Sequence, residues 1–418
     1  MSRSSRRSGL GLPASLIALG TGIVLALPAQ AANSWTPPVQ LPTGCAASST
    51  ATGSVAVNAT GMQVAAANVN GISAVSVCTS PDGQSWSAPS TLGQGVNPAV
   101  ALAADGRAVV AWEGGTFAAT DIEASVRPPG GTWGAPVVVS AAGYPGAPLI
   151  GIDGWGNVVI ASVQGATGTI ATASLRAGGS WSPVQTLPTH DGSGLDMAVN
   201  SAGSVVLTWA GKGVSIGAYA DSGTVLGGFG APVKVGLAPY NGGRTSVTLN
   251  DAGRAVMVWA VGSTAANVAA TRSAAGTWSA PVQLSGDEAS PLDVAIDGAG
   301  NVIAVFEQYV LAQGSSLTSL YASRLPAGGS WGAPTLLSAP GDSVGGGGRV
   351  VADAAGTFVI AWDDATSRTL TALTSPPGRG FGLPATVARN VGGIGRLVLA
   401  PGHAALTFNS VITSETVS

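Results

Sequence analysis

The sequence predicts an all-β chain, a β-propeller of four-stranded blades, and three observations predict it. An aromatic residue followed within three positions by Pro and then a short β-prone stretch recurs at Trp35, Trp86, Trp133, Trp181, Phe229, Trp278, Trp331 and Phe381, at intervals of 51, 47, 48, 48, 49, 53 and 50 residues. Between those segments a glycine stands between two β-prone runs, at Gly61, Gly106, Gly156, Gly203, Gly253, Gly300, Gly356 and Gly402. The 418 residues include 62 Gly and 26 Pro, with 45% hydrophobic and only 9% charged. That balance excludes an expanded disordered chain and favours many short strands and turns over long helices.

From the N-terminus onward, residues 1–31 read as a signal peptide. Arg3, Arg6 and Arg7 precede an apolar run from Leu10 to Leu27, and Ala29-Gln30-Ala31 has the small-residue pattern of a cleavage site. Arg6-Arg7 followed by Leu10 also fits a twin-arginine signal, so general and twin-arginine export both stay open. Residues 32–418 then form a single propeller domain.

Within each repeat the first strand precedes the glycine and the second follows it. The second ends six positions past the glycine in Trp112, Trp209, Trp259, Phe306, Trp362 or Phe408. A glycine that accepts positive φ between two such runs is a hairpin turn, and Asp153, Asn200, Asn250, Asp297 and Asp353, three residues before it, suit an Asx turn. The third strand alternates, as in 122–127 and 170–176, and the fourth begins at the recurring aromatic. Fifty residues with four strands make one propeller blade. A solenoid of stacked hairpins is disfavoured because the ends carry no polar caps.

Seven complete units run from about Ser54 to Thr386. Left over are three C-terminal strands, 395–399, 404–408 and 411–417, and a lone N-terminal strand of the fourth type, 35–41. Together they make an eighth blade, closed by pairing the N-terminal strand with the C-terminal three, which removes two free sheet edges. Seven blades with disordered or packed-on ends is the alternative. Cys45 and Cys78, the only cysteines, are expected to form a disulfide in an exported chain. Regular blade geometry sets them toward opposite faces, so the linker 42–52 must cross the rim to bring their Cα atoms within about 7 Å.

The recurrent aromatics are expected to cover blades and the grooves between them. Arg127, Arg176, Arg272 and Arg324 recur at one place per unit and are expected to order turns or stack on aromatic rings. The remaining arginines, among them Arg107, Arg244, Arg254, Arg349 and Arg396, are expected mostly to flank the glycine turns.

Ser80-Pro81-Asp82-Gly83-Gln84-Ser85-Trp86 resembles the Asp-box of the bacterial neuraminidase-repeat (BNR, sialidase-like) propellers. That box is Ser or Thr, a spacer, Asp, a spacer, Gly, a spacer, Thr and Trp. The copy here is one residue shorter, and 177–181 and 327–331 keep Gly and Trp without Asp. The resemblance implies propeller blades with the box in the turn between third and fourth strands, where it is structural. It extends to sialidases and to non-catalytic secreted proteins alike. The three arginines, the Tyr with its Glu and the acidic acid/base of a sialidase find no residue-by-residue match here. Kelch and tryptophan-aspartate signatures are absent.

Without the first 31 residues the formal charge is −6, with Lys212 and Lys234 the only lysines, which excludes a phosphate-neutralising nucleic-acid surface. No second run of 18 apolar residues follows the leader, so no membrane partner is expected after cleavage. His190 and His403 share no ligand spacing, and no calcium or phosphate loop appears, so no metal or cofactor is expected. Glu113, Glu307, Asp363 and Asp364 each follow the aromatic that ends a second strand, which places them on one ring face near the channel mouth as solvated turn carboxylates. Tyr309 lies in the longer segment 307–318 of the sixth unit, where an insertion on a repeat scaffold makes a binding face. Asp342 and the run Gly345 to Gly348, read as a flexible loop, extend that patch. These residues are the candidate ligand contacts. The expected function is a secreted or cell-surface monomer that binds a glycan or an extracellular protein through that face without catalysis. A glycoside hydrolase using rim carboxylates is the rival, to be recognised by two carboxylates facing one another in a deep pocket.

Overall fold

The structure is a computed structural model describing residues 22–28, 38–45 and 54–410, less short stretches at 70–73, 117–118, 141–142, 144, 166–167, 190–191, 213–214, 239–242, 262–265, 287–288, 313–314, 340–341, 346 and 401–402. No α-helix occurs among the described residues. Their strands form eight antiparallel sheets, in a propeller-like arrangement. In seven sheets the strands follow one another in sequence. The first holds Ser54–Val57, Gln63–Val69, Ala74–Ser80 and Ser90–Gln94, and the seventh Arg349–Ala352, Phe358–Asp364, Thr369–Ser375 and Ala385–Arg389.

The hairpins form for the local reasons expected. Seven of the recurrent glycines, from Gly61 to Gly356, have φ between 73° and 96°, where a side chain is strained. Three residues earlier the Asx oxygen caps the turn: Asp297 Oδ1 accepts the Asn301 N–H at 2.8 Å, and Asn250 Oδ1 accepts that of Arg254 at 3.0 Å. The asparagines also do what aspartate cannot. Asn200 Nδ2 donates to Asn250 O at 3.0 Å, and Asn250 Nδ2 to Asp297 O at 3.0 Å, each stitching its sheet to the next.

Apolar side chains fill the spaces between neighbouring sheets. Trp112, Trp259, Trp362, Phe306 and Phe408 are fully buried there, each of the kind that costs roughly 3–5 kcal/mol on truncation to Ala. The second strands run on past them rather than ending at them, by two residues at Trp259 and six at Phe306. The outer aromatics are half-buried and seal the same grooves from outside. Trp133 lies on the cluster of Val64, Val77, Val110 and Trp112, between the first and second sheets. Trp181, Trp278, Trp331 and Phe381 do the same for later pairs. Arg127 and Arg272 donate to the hairpin carbonyls of Gly106 and Gly253, at 3.4 and 3.2 Å. Arg324 instead crosses to the next sheet, donating to Arg379 O at 2.9 Å with its guanidinium 4.0 Å from the centre of the Phe381 ring. At the box-like turn, Asp82 Oδ1 accepts the Gln84 and Ser85 N–H groups at 2.8 Å, and Ser80 Oγ accepts that of Gly83 at 2.8 Å.

The eighth sheet joins both ends of the chain, in the order Val391–Ala400, His403–Ser410, Gly22–Pro28, Val39–Gln40. Its inner strand packs against that of the seventh sheet on one side and that of the first on the other. Val39–Gln40, within the expected strand 35–41, takes the outermost place, paired with Gly22–Pro28 and not with a C-terminal strand. The third place differs from expectation: Gly22–Pro28, from the apolar run assigned to the signal peptide, pairs with His403–Ser410 from Gly22 opposite Asn409 to Pro28 opposite His403. The physical reason is that Gly-Ile-Val-Leu-Ala-Leu-Pro is apolar throughout and carries the β-branched Ile23 and Val24, so it can cover an open strand edge. Residues 411–417, expected in that place, lie outside the described residues.

Cys45 and Cys78 are bonded, with Cα atoms 5.9 Å apart and both residues buried. The linker reaches the third strand of the first sheet through a turn in which the Cys45 N–H donates to Pro42 O at 2.7 Å. Closing a loop of 33 residues contributes about 3–4 kcal/mol on chain-entropy grounds.

Candidate functional site

The inner strands carry the site. Pairing sets one residue of each sheet at the same level, opposite the fifth residue past the hairpin glycine: Ser54 faces Ala66, Ala99 faces Ala111, Leu149 faces Ala161, Asp196 faces Thr208, Ser246 faces Val258, Asp293 faces Val305 and Arg349 faces Ala361. In the eighth sheet the matching residue, Arg396, sits in an irregularity between Ile394 and Leu397. All eight line one central cavity of about 990 Å³. One side is neutral, with Ser54, Ala99 and Leu149. The other is a continuous arc of Asp196, Ser246, Asp293, Arg349 and Arg396. Arg244, just before the fifth inner strand, lies at the same end, while Val199, Leu249, Ile296 and Leu399 make the opposite end apolar.

Side chains at this level also bridge sheets. Asp196 Oδ2 accepts the Val247 N–H at 2.8 Å, Asp293 Oδ2 accepts that of Val350 at 3.1 Å, and Ser54 Oγ accepts that of Val100 at 3.2 Å. Each acceptor thus caps an amide of the next inner strand. Asp293 Oδ1 additionally accepts the Ser246 hydroxyl at 3.3 Å. Burial in the channel wall pushes the Asp196 carboxyl up to about 6, its backbone donors and Arg244 pulling the other way and Asp293 adding to the rise. Asp293 is raised too, chiefly by burial, with Arg349 and Arg244 opposing. Burial lowers the Arg349 guanidinium, partly offset by Asp293. The charges feel one another without contact: among the described residues the only ion pair within 4.0 Å is Arg107 with Asp105, at 3.9 Å.

The residues expected from the sequence stand outside this cavity, in three different sheets. Glu113, in the second, accepts a hydrogen bond from Asn97 Nδ2 at 2.8 Å. Glu307 is buried in the sixth, and Tyr309 is 54% exposed two residues on. There the longer segment continues the ladder, as strands Val302–Ala312 and Ser315–Leu325. Asp363 and Asp364, in the seventh, are buried rather than solvated. Burial raises the Asp363 carboxyl. Burial also pushes on Asp364, but the Ser367 hydroxyl and the N–H groups of Ser343, Thr366 and Ser367 outweigh it and hold the carboxyl low. The glycine-rich run is not an open loop either. Val344 bridges to Asp364, and a Cβ at Gly345 or Gly347 would strike the Asp363 carboxylate, so only glycine lets the chain close over it. Asp342 accepts the Ala339 N–H at 2.8 Å.

Asp196, Asp293, Arg244, Arg349 and Arg396 were the residues missed. Arg107 and Arg254 do adjoin hairpin turns, but Arg349 begins its inner strand, Arg244 immediately precedes Thr245–Leu249, and Arg396 lies within Val391–Ala400. The signal available was a charge within an inner strand at the position where its equivalents are Ser, Ala or Leu.

No family model and no curated protein matches the chain. Solved structures similar to it include a polysaccharide lyase described as an ulvan lyase, at 12% identity and a TM-score of 0.47 over 82% of this chain and 87% of that one. An α-L-arabinofuranosidase from Fusarium graminearum is similar at 12% identity and a TM-score of 0.40, over 73% of this chain and 98% of that one. AofleA from Arthrobotrys oligospora is similar at 14% identity and a TM-score of 0.40, over 72% and 96%.

Proposed function

We propose that the protein is an exported, monomeric, eight-bladed propeller closed by its two chain ends, which binds a glycan in its central channel without transforming it. The observation that carries this is the arc of Asp196, Ser246, Asp293, Arg349 and Arg396 on one wall of a cavity of about 990 Å³. Such a volume holds a small ligand and not a protein surface. Carboxylates accept hydrogen bonds from sugar hydroxyls, and guanidinium groups donate to hydroxyl, carboxylate or sulfate oxygens. The leader-like N-terminus and the buried disulfide support export to an oxidising compartment. The turn at Ser80 to Trp86 supports kinship with the neuraminidase-repeat propellers. The test is a glycan array probed with residues 32–418, wild type beside Asp293→Asn and Arg349→Gln. Binding that falls about tenfold or more in both variants is expected; binding indifferent to both would place the site elsewhere.

A second reading has one observation in its favour. Asp196 and Asp293 are two carboxylates of raised pKa in one deep cavity, the arrangement a glycosidase needs. Against it, each already accepts two backbone N–H groups. Hydrolysis of any glycoside that Asp196→Asn abolishes would establish this reading over the first.

A further inference from the structure

The inter-sheet bond at the arc does not itself require charge. In the first sheet the Ser54 hydroxyl caps the next strand's amide, the same task that Asp196 and Asp293 perform with carboxylates. Burying an ion where a hydroxyl suffices is unfavourable unless the charge meets a partner, and no guanidinium lies within 4.0 Å of either carboxylate. The charges are arranged unevenly around the wall. The acids occupy the fourth and sixth sheets, flanking Ser246, with Arg244 just before that strand between them, and two further bases occupy the seventh and eighth. Two carboxylates on one side of a cavity and two guanidinium groups on the other are complementary to a ligand with the opposite dipole.

We propose that the arc is a dipolar subsite for a sugar unit that carries both a free amine and an anionic substituent, the ammonium held by Asp196 and Asp293 and the anion by Arg349 and Arg396. This rests on the glycan-binding function and narrows it. Arg349 and Arg396 present planar forks suited to sulfate, phosphate or carboxylate oxygens, and the carboxylates keep lone pairs beyond the two backbone bonds each accepts. The pH dependence has a definite sign. The groups facing Asp196 and its neighbours are Asp293, Arg244, Arg349, Arg396 and, beyond Arg349, Asp363. Below about 6 Asp196 takes up its proton, the ammonium loses a counter-charge, and affinity falls. A site for anions alone would behave in the opposite way, since protonation makes the arc more positive.

The experiment is calorimetric titration of the purified full chain with glucosamine 6-sulfate, glucose 6-sulfate and glucosamine, at pH 7 and pH 5, where the sulfate keeps its charge. The dipolar sugar is expected to bind about tenfold tighter than either of the others, and to weaken by roughly tenfold at the lower pH. Asp196→Ser, which keeps the hydroxyl that serves at Ser54, is expected to abolish the preference over glucose 6-sulfate. Arg349→Gln is expected to abolish the preference over glucosamine, with unchanged melting curves reporting an intact fold. Equal or tighter binding of glucose 6-sulfate, strengthening as pH falls, overturns the proposal in favour of an anion site. Silence toward all three sugars overturns it as well. In that event a positive glycan array leaves the broader function standing, and a negative one removes both.

Discussion

At the level of Ser54, Asp196 and Asp293 a single side chain decides how two sheets meet, and its ionisation decides at what pH they meet best. Burial raises the carboxyls of Asp196, to about 6, and of Asp293 and Asp363. Each therefore binds its proton more tightly folded than unfolded. The folded state is favoured while they are protonated, and that advantage is lost as pH rises through their folded values, for Asp196 between about 4 and about 6. Asp82 and Asp364 are held low and act in reverse, stabilising above about 4 and losing that contribution in stronger acid. Urea unfolding is expected to show greater stability at about pH 4.5 than at 7.5, with Asp196→Asn removing up to about 2 kcal/mol of the difference. A wild type that gains stability toward pH 7.5, or a variant with an unchanged slope, would contradict this. Residues that repeat were legible in the sequence: the hairpin glycines and their Asx caps act within five residues, so local pattern suffices. Asp196 and Asp293 were not, because their surroundings come from the next sheet, about 50 residues away in the chain.

The strand, likewise, was legible wherever its partner is its neighbour in sequence. Seven sheets begin and end close to where the glycine and aromatic spacing put them, the first at Ser54 and the seventh at Arg389. The eighth differs because the edge of His403–Ser410 for which 411–417 is expected takes Gly22–Pro28, seven residues that pair there. Local propensity ranks the two the other way, since 411–417 holds five Val, Ile or Thr residues and 22–28 only Ile23 and Val24, so the choice is not a local one. The proposed cleavage after Ala31 would remove Gly22–Pro28 and leave 411–417 as the adjacent candidate. Truncation of the processed chain after Ser410 is therefore expected to lower its melting temperature by several degrees, from the lost ladder and a newly open edge. The same truncation in a chain that keeps residues 1–31 is expected to matter much less. Equal losses in the two backgrounds would show that the segments do not exchange.

The whole molecule sets five of its 17 basic and 20 acidic side chains around one central cavity and uses most other conspicuous residues to build sheets. With only 9% of residues charged, five charged side chains around one cavity are a concentration that neither the aromatic repeat nor the hairpins require. The repeat made the architecture readable and obscured the site, because attention to equivalent positions hides the few that differ. The proposed function depends on the proposed closure of the ring, because the arc runs from the fourth sheet to the eighth, whose outer strands come from the N-terminal end of the chain. The disulfide from Cys45 to Cys78 fastens that junction to the first sheet. The most direct test of closure is the melting temperature of residues 32–418 beside the same chain lacking residues 32–44, which removes the outermost strand Val39–Gln40 and spares Cys45. A ring closed by its ends predicts a drop of several degrees, at roughly 2–4 °C per kcal/mol lost. An unchanged melting temperature would contradict it and favour seven blades with the ends packed outside.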